Sequence, residues 1–395
     1  MRFDTSSPTV LREDWRNGGF GLYIHWPFCQ SKCPYCDFNS HVVADIRQAA
    51  WRSAYLSEID RIAALTPGRI LNSVFFGGGT PSLMDPETVA ILIERIAARW
   101  TLANDLETTL EANPTSIEYG RFRAFNAAGI NRVSIGIQAL NDADLSRLGR
   151  LHSVKEAYGA FDIARQTFER VSFDLIYARQ FQTADAWHLE LAEALDLAAD
   201  HLSLYQLTIE PGTAFGDRAA RGRLPGLPDE DAQADMYEVT QDLCEAAGFS
   251  AYEVSNHAQP GAESRHNLIY WRYGDCAGIG PGAHGRLTLD GRRHRTETEL
   301  NPEAWLQAVK RNGSGETLCL PLPLEDQVNE YLMMGLRITG GIDLCRLEYM
   351  GYRPPKDELA GLEELGLLER QGDFLRATAK GRPVLNGIYE KLLTG

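Results

Sequence analysis

The chain has 395 residues, 44% of them hydrophobic, and carries a formal net charge of −15. That length exceeds one small core and fits a large domain with one or two smaller ones. The acidic balance argues against a nucleic-acid partner, no stretch approaches the ~20 apolar residues of a membrane span, and the N-terminus lacks a signal-peptide run, so a cytosolic location is expected.

From residue 20 to about 255, short β-branched runs alternate with longer amphipathic stretches. The runs lie at 21–25, 73–76, 107–111, 132–137, 172–177, 202–209 and 250–255, and the stretches at 49–65, 86–100, 116–128, 184–199 and 231–247. Two stretches stop at Gly129 and Gly248, the residue type expected just past a helix end. This alternation predicts an α/β fold with a parallel sheet and crossover helices, closing into an incomplete (β/α)6 TIM-like barrel. An arm is expected at 1–19, the barrel at 20–255, and a Gly-rich extension lying over it at 256–320. A mostly helical unit follows at 321–395, in which 361–378 reads as helix, strand, Gly372-Asp373 turn and strand, a winged-helix-like outline.

Chemistry-bearing residues fall at strand C-terminal ends, where parallel barrels carry their sites. Cys29, Cys33 and Cys36 follow the first strand in a C-x3-C-x2-C spacing, and Gly77-Gly78-Gly79-Thr80-Pro81 follows the second. Glu111 closes the third strand, Gln138 closes the fourth, Asp174 lies in the fifth and Glu210 follows the sixth. Three thiolates on one loop suit a 4Fe–4S cluster with one iron left open to a small chelating molecule, since such clusters normally take four cysteines. Pro27, Phe28, Pro34 and Tyr35 would exclude water from the sulfurs. The alternative is structural zinc, which lacks a second cysteine pair and would need His25 or His41. The glycine run lets the backbone approach a ligand closely. It lacks the P-loop lysine and the dinucleotide fingerprint, and a simple turn is its other reading. Cys244, Cys276, Cys319 and Cys345 are scattered singly and read as buried thiols.

The cysteine spacing followed by Gly-Gly-Gly-Thr-Pro resembles the radical S-adenosylmethionine (SAM) superfamily. Segments 23–29, 76–82, 111–114, 132–138, 147–152, 173–177 and 204–213 resemble the branch holding oxygen-independent coproporphyrinogen III oxidase and the haem chaperones. The resemblance implies that Cys29, Cys33 and Cys36 ligate three irons while the fourth binds the amino and carboxylate groups of SAM. It assigns SAM contacts to Tyr23, Tyr35, Gly77, Gly78, Gly79, Thr80 and Glu111, and places Gln138, Arg150 and Asp174 at positions that meet a second SAM in the oxidase. One electron entering the cluster would cleave SAM to methionine and a 5′-deoxyadenosyl radical, with the protein positioning the cofactor and excluding water.

Within that branch the oxidases carry a further cysteine two residues after the last ligand. Here that residue is Phe38, in the Cys36-Asp37-Phe38-Asn39-Ser40-His41 that resembles the chaperones. Their second marker, His-Asn-x-x-Tyr-Trp, matches His266, Asn267, Tyr270 and Trp271. A histidine beside two aromatics can ligate haem iron and cover a porphyrin face, and a packed, hydrogen-bonded histidine is the other reading. Tyr177-Ala-Arg-Gln-Phe-Gln182 departs from the branch's usual Tyr-Gly-Leu-Pro-x-Gln. The resemblance thus implies a haem carrier with acceptor haem proteins and a reductant for the cluster as partners. The alternative is oxidative decarboxylation of coproporphyrinogen III, and an RNA-modifying activity is disfavoured by the charge.

Overall fold

Alternate residues of each barrel strand face opposite ways in the computed structural model, which describes residues 10–43, 45–115 and 120–393. Strand β1 (Phe20–Trp26) turns Phe20, Leu22, Ile24 and Trp26 into the main apolar core. The pattern repeats in β2 (Ile70–Gly78) with Val74 and Phe76, in β3 (Thr101–Ala112) with Leu110 and Ala112, and in β4 (Arg132–Gln138) with Val133, Ile135 and Ile137. It continues in β5 (Arg170–Tyr177) with Val171, Phe173 and Leu175, and in β6 (His201–Gln206) with Leu202 and Leu204. These strands pair in parallel in chain order, and helices such as Gln48–Leu65, Pro86–Arg99, Val154–Thr167 and Ala184–Leu197 cross between them. The predicted incomplete barrel is therefore present. The intervening positions, among them Tyr23, Glu111, Ser134, Asp174 and Ser203, turn to the opposite face and make a polar lumen.

The stretch 256–320 corrects its expectation of lying over the barrel. It supplies β7 (Asn256–Ala258), antiparallel to β6, and β8 (Asp275–Ile279), parallel to β1 on the other side. Strands β9 (His284–Leu289), β10 (Arg292–Thr298) and β11 (Glu316–Pro321) then add in antiparallel fashion, giving a 12-stranded sheet among the described residues. All of β8 is buried, so its sequence shows no alternation and its strand character was hidden. The expected seventh run, 250–255, is only a two-residue strand, Ser250–Ala251, pairing β7. Residues 1–9 of the arm and 116–119 of a predicted helix lie outside the described residues, and that helix is seen as Phe122–Ala127.

The C-terminal unit has its own core, including Val328, Leu332, Leu347, Leu362, Leu375 and Ile388. Helix Lys356–Glu364 and strands Leu368–Gln371 and Phe374–Ala377 follow in the expected order. Strand Ile342–Asp343 completes a small three-stranded sheet. No helix among the described residues is long and apolar enough to cross a membrane.

Candidate cluster and SAM site

The cysteine loop hangs from an aromatic anchor. Phe28 is buried edge-on against Trp26 and Trp51, with ring centroids 5.2 and 5.0 Å away. Residues Phe28–Cys29 pair in parallel with His41–Val42, which closes the loop at its base. Asn39 then pins it to the rest of the sheet, donating to the carbonyls of Pro281 and Leu300, each at 2.9 Å. Gly79 must lack a side chain, because a Cβ there would stand 2.8 Å from the Phe28 carbonyl oxygen. Gly78, at φ 109°, sits where a Cβ would strike the His25 ring.

Around this loop each thiol meets at least one polar side chain, and Tyr35 also hydrogen-bonds Cys33 while Ser40 also hydrogen-bonds Cys29. Thr80 Oγ1 donates to Cys29 Sγ at 3.4 Å, Arg150 Nη1 donates to Cys33 Sγ at 3.4 Å, and Ser40 Oγ lies 4.0 Å from Cys36 Sγ. Arg150 is held in that pose by the Gly136 carbonyl at 2.8 Å and by Asn113 Oδ1. Burial pushes the Cys29 and Cys36 thiols up in pKa. Ligation by iron reverses that, because a bound cysteine is a thiolate.

The three cysteines line one pocket of about 160 Å3 together with Tyr35, Gly78, Gly79, Thr80, Glu111, Gln138, Arg150 and Asp174. Glu111 accepts the Gly78 N–H at 3.1 Å, and burial, then the nearby Asp174 charge, raises its carboxyl to about 8. Asp174 is also raised by burial and accepts from Ser134 Oγ at 3.1 Å. Gln138 holds a left-handed backbone at φ 75°, a conformation that costs energy outside glycine and often marks a site. Tyr35 packs against Phe215 at 6.4 Å, and burial raises its hydroxyl pKa.

Three expected residues stand elsewhere. Tyr23 lies deeper in the lumen, its hydroxyl 3.3 Å from His25 Nδ1 and its ring stacked on Phe75 at 6.0 Å. Gly77 belongs to that deeper layer, since a Cβ there would meet both of those rings at 2.8 Å. Glu210 contributes a backbone carbonyl that receives Thr213 at the start of helix Ala214–Ala220, and it does not line the pocket. Conversely Asn113, Ser134 and Gly136 line it and were not singled out. Gly136 stands two residues along the strand from Gln138, and Asn113 just past the end of β3 stands two residues from Glu111, so strand periodicity could have found them. Cys319 and Cys345 are exposed, which corrects the expectation that all the single cysteines are buried.

The donor set fits an iron–sulfur cluster better than zinc. Among the described residues no three His, Cys, Asp or Glu side chains gather around one point as a single ion requires. His25 Nε2 is bound to the Asn39 carbonyl at 3.0 Å and His41 Nε2 to Asn39 Oδ1 at 3.0 Å, so neither completes a zinc shell. Three thiols spread around one pocket suit a larger group.

The radical SAM superfamily matches residues 23–189, and the HemN C-terminal domain matches residues 322–384. The chain is 40% identical over 388 residues to radical S-adenosyl methionine domain-containing protein 1, mitochondrial, of Bos taurus, covering 94% of this chain and 87% of that one. It is 37% identical over 383 residues to the heme chaperone HemW of Escherichia coli (strain K12), covering 94% and 97%. The chain belongs to the HemN/HemW branch of the radical SAM superfamily. Among solved structures, the coproporphyrinogen III oxidase HemN from Escherichia coli has a TM-score of 0.78 at 23% identity, over 99% of this chain and 97% of that one, so the fold is shared.

In this radical SAM barrel the His-Asn-x-x-Tyr-Trp motif forms helix Arg265–Trp271, set beneath the lumen. Glu107 receives the backbone N–H groups of Arg265 and His266, each at 3.2 Å, and the Ser264 hydroxyl at 3.3 Å. Burial works to raise the Glu107 pKa, but Arg132, Arg170 and these donors win and hold it below the usual range. His266 is 5% exposed, stacks on Phe75 at 4.8 Å, and shares a 2.8 Å hydrogen bond between Nδ1 and Ser73 Oγ. Burial lowers its pKa to about 4. Asn267 instead donates to Tyr252 Oη at 3.3 Å, and Trp271 lies under the Arg337 guanidinium at 4.8 Å. Residues 266 and 270 share one helix face, and 267 and 271 share another, so the motif is divided between two faces of its helix.

A pH effect follows from Glu111. Its folded carboxyl keeps a proton to about pH 8, whereas an unfolded one releases it near ~4.3. The associated stability is fully present below the unfolded pKa and is lost as pH rises through the folded value. Melting temperatures of the metal-free protein should fall between about pH 5 and about pH 8.5, and Glu111→Gln should flatten that fall. An equally steep decline in the variant would assign the titration to another group.

Proposed function

We infer that this chain carries haem to acceptor haem proteins on a radical SAM barrel. In this reading Cys29, Cys33 and Cys36 hold a 4Fe–4S cluster that receives its electron from a reductant, and the pocket beside it takes SAM. The single observation that carries the choice of carrier over oxidase is Phe38. It lines the cysteine pocket and is 57% exposed, at the position where the oxidases carry a further cysteine. Similarity over nearly the whole length to a chain named as a heme chaperone supports the same choice.

Bound in this pocket, the cluster and SAM supply one-electron reductive cleavage of a sulfonium. The chain supplies the setting. Donors from Thr80 and Arg150 to the cluster sulfurs would stabilise the more negative, reduced state and raise its potential. Tyr35, Gly78, Gly79, Thr80, Glu111, Gln138, Arg150 and Asp174 line the pocket as SAM-facing candidates, whereas Tyr23 and Gly77 stand in the deeper layer.

Full-length protein mixed with haemin should develop a Soret band, and an added apo-haem protein such as apomyoglobin should withdraw the haem. A Soret band that never forms, or haem that never leaves, would contradict the carrier reading.

A further inference from the structure

Two cavities, of about 680 and 590 Å3, flank the motif helix Arg265–Trp271 and share no lining residue with the cysteine pocket. They have Asn17, Glu263, Leu268 and Arg272 in common, so they form two parts of one groove running past the helix. Each volume is within the range of roughly 300–1,000 Å3 usual for cofactor pockets. Trp15 stands in one part, and Trp271 and the half-exposed Phe374 in the other, with Leu268 between them. The Trp271 indole N–H is buried without an acceptor, an exception of the kind that asks for a missing partner.

The charges in the groove are unevenly committed. Asp105 is paired with Arg265, and Asp343 accepts the backbone N–H groups of Cys345 and Arg346. Two charges have no side-chain partner among the described residues, the exposed Arg272 and the Glu263 carboxylate, and both line the two parts where they meet. Aromatic and aliphatic walls around a free guanidinium match a flat apolar macrocycle with carboxylates on one edge.

We propose that this groove, on the side of the motif helix away from His266, is the seat of the haem, with Trp271 and Leu268 against the macrocycle and Arg272 on a propionate. The inference rests on the haem-carrier reading above. It also accounts for the split motif: His266 and Tyr270 fix the helix to the barrel, while Trp271 faces the cargo. The groove offers no histidine, cysteine or methionine. Its two tyrosines are engaged, Tyr252 with His201 and Tyr331 with Asp343. Haem held there keeps its iron open to a ligand from the acceptor, which suits a protein that must give the haem away.

The test is haemin titration of the full-length, reconstituted protein and of Trp271→Ala and Arg272→Glu, followed by the Soret band. Loss of one charged or aromatic contact should raise the apparent Kd about tenfold in each variant, with iron content unchanged and a high-spin spectrum in the wild type. Arg272 is exposed, so its variant keeps the fold if the tryptophan variant does not. Wild-type affinity in both variants, or a low-spin histidine-ligated spectrum lost in His266→Ala, overturns the groove while leaving the carrier reading standing. No haemin binding by the wild type overturns both.

Discussion

Replacing Cys33 by serine is expected to lower the iron retained after anaerobic reconstitution from about four per chain to background. With only three protein thiolates for the cluster, none is redundant. Cys33 is the central one in the loop and the one that meets Arg150. A serine hydroxyl is not ionised at neutral pH, and two cysteines on a half-exposed loop do not hold a cubane. The control is Cys345→Ser: that thiol is exposed and far along the chain in the C-terminal unit, so the variant should keep its full iron. Iron and acid-labile sulfide assays, with electron paramagnetic resonance of the reduced protein, decide the matter. Two irons per wild-type chain, bound zinc, or iron surviving in Cys33→Ser would each sink the cluster assignment.

Arg179→Met is expected to destabilise the fold by roughly 3–5 kcal/mol, the usual cost of breaking a buried ion pair from one side. Arg179 stands where the branch usually has leucine, and the structure gives it work that leucine would not do. It is 2% exposed and donates to Asp144 Oδ2 from Nε at 3.1 Å and from Nη2 at 2.9 Å. It also meets Glu190 Oε2 at 2.5 Å and the Ile176 carbonyl. Glu190 in turn receives the Leu140 N–H at 2.7 Å and Gln182 Nε2 at 3.1 Å. Without the guanidinium, the buried Glu190 carboxylate loses its counter-charge, and Asp144 keeps only the more exposed Arg147. Asp144 lies on helix Asp142–Arg147, just before Gly149 and Arg150, so the network also steadies the shelf from which Arg150 reaches Cys33.

The pH dependence of that loss has a definite sign. Burial works to raise the Asp144 pKa, but Asn141 and Arg179 hold it below the ordinary range. A depressed carboxylate contributes stability above its unfolded pKa and loses it as pH falls through the folded one. Chemical denaturation should therefore show a gap between wild type and Arg179→Met that is widest near neutrality and narrows in acid. A gap under about 1 kcal/mol at pH 7 would mean that the network is not a stabilising one.

The barrel was legible in the sequence because its signals are local. Strand runs such as 132–137 and glycine stops such as Gly129 depend on near neighbours alone. The cysteine loop was legible for the same reason. Depth was not, since whether Tyr23 and Gly77 line the cysteine pocket or the layer below it depends on Phe75 and on where a distant helix packs. The same holds for His266. Its helix period separates it from Trp271 even on paper, but its burial is decided by Ser73, 193 residues away. Strand Asp275–Ile279 escaped because full burial erases alternation. The loop at 178–182 could not be read from its residues either. Ala178 and Phe181 adopt left-handed backbones at φ 57° and 64°, which the buried Arg179 network between them supports.

The proposed carrier and the oxidase share the barrel fold, and Phe38 is where the two readings part. The most direct test is to supply the reconstituted protein, under anaerobic conditions and with SAM and a strong reductant, with coproporphyrinogen III and to follow protoporphyrinogen IX. None should form under conditions in which the same preparation takes up haemin. Formation of protoporphyrinogen IX at a rate that scales with cluster content would contradict the carrier reading.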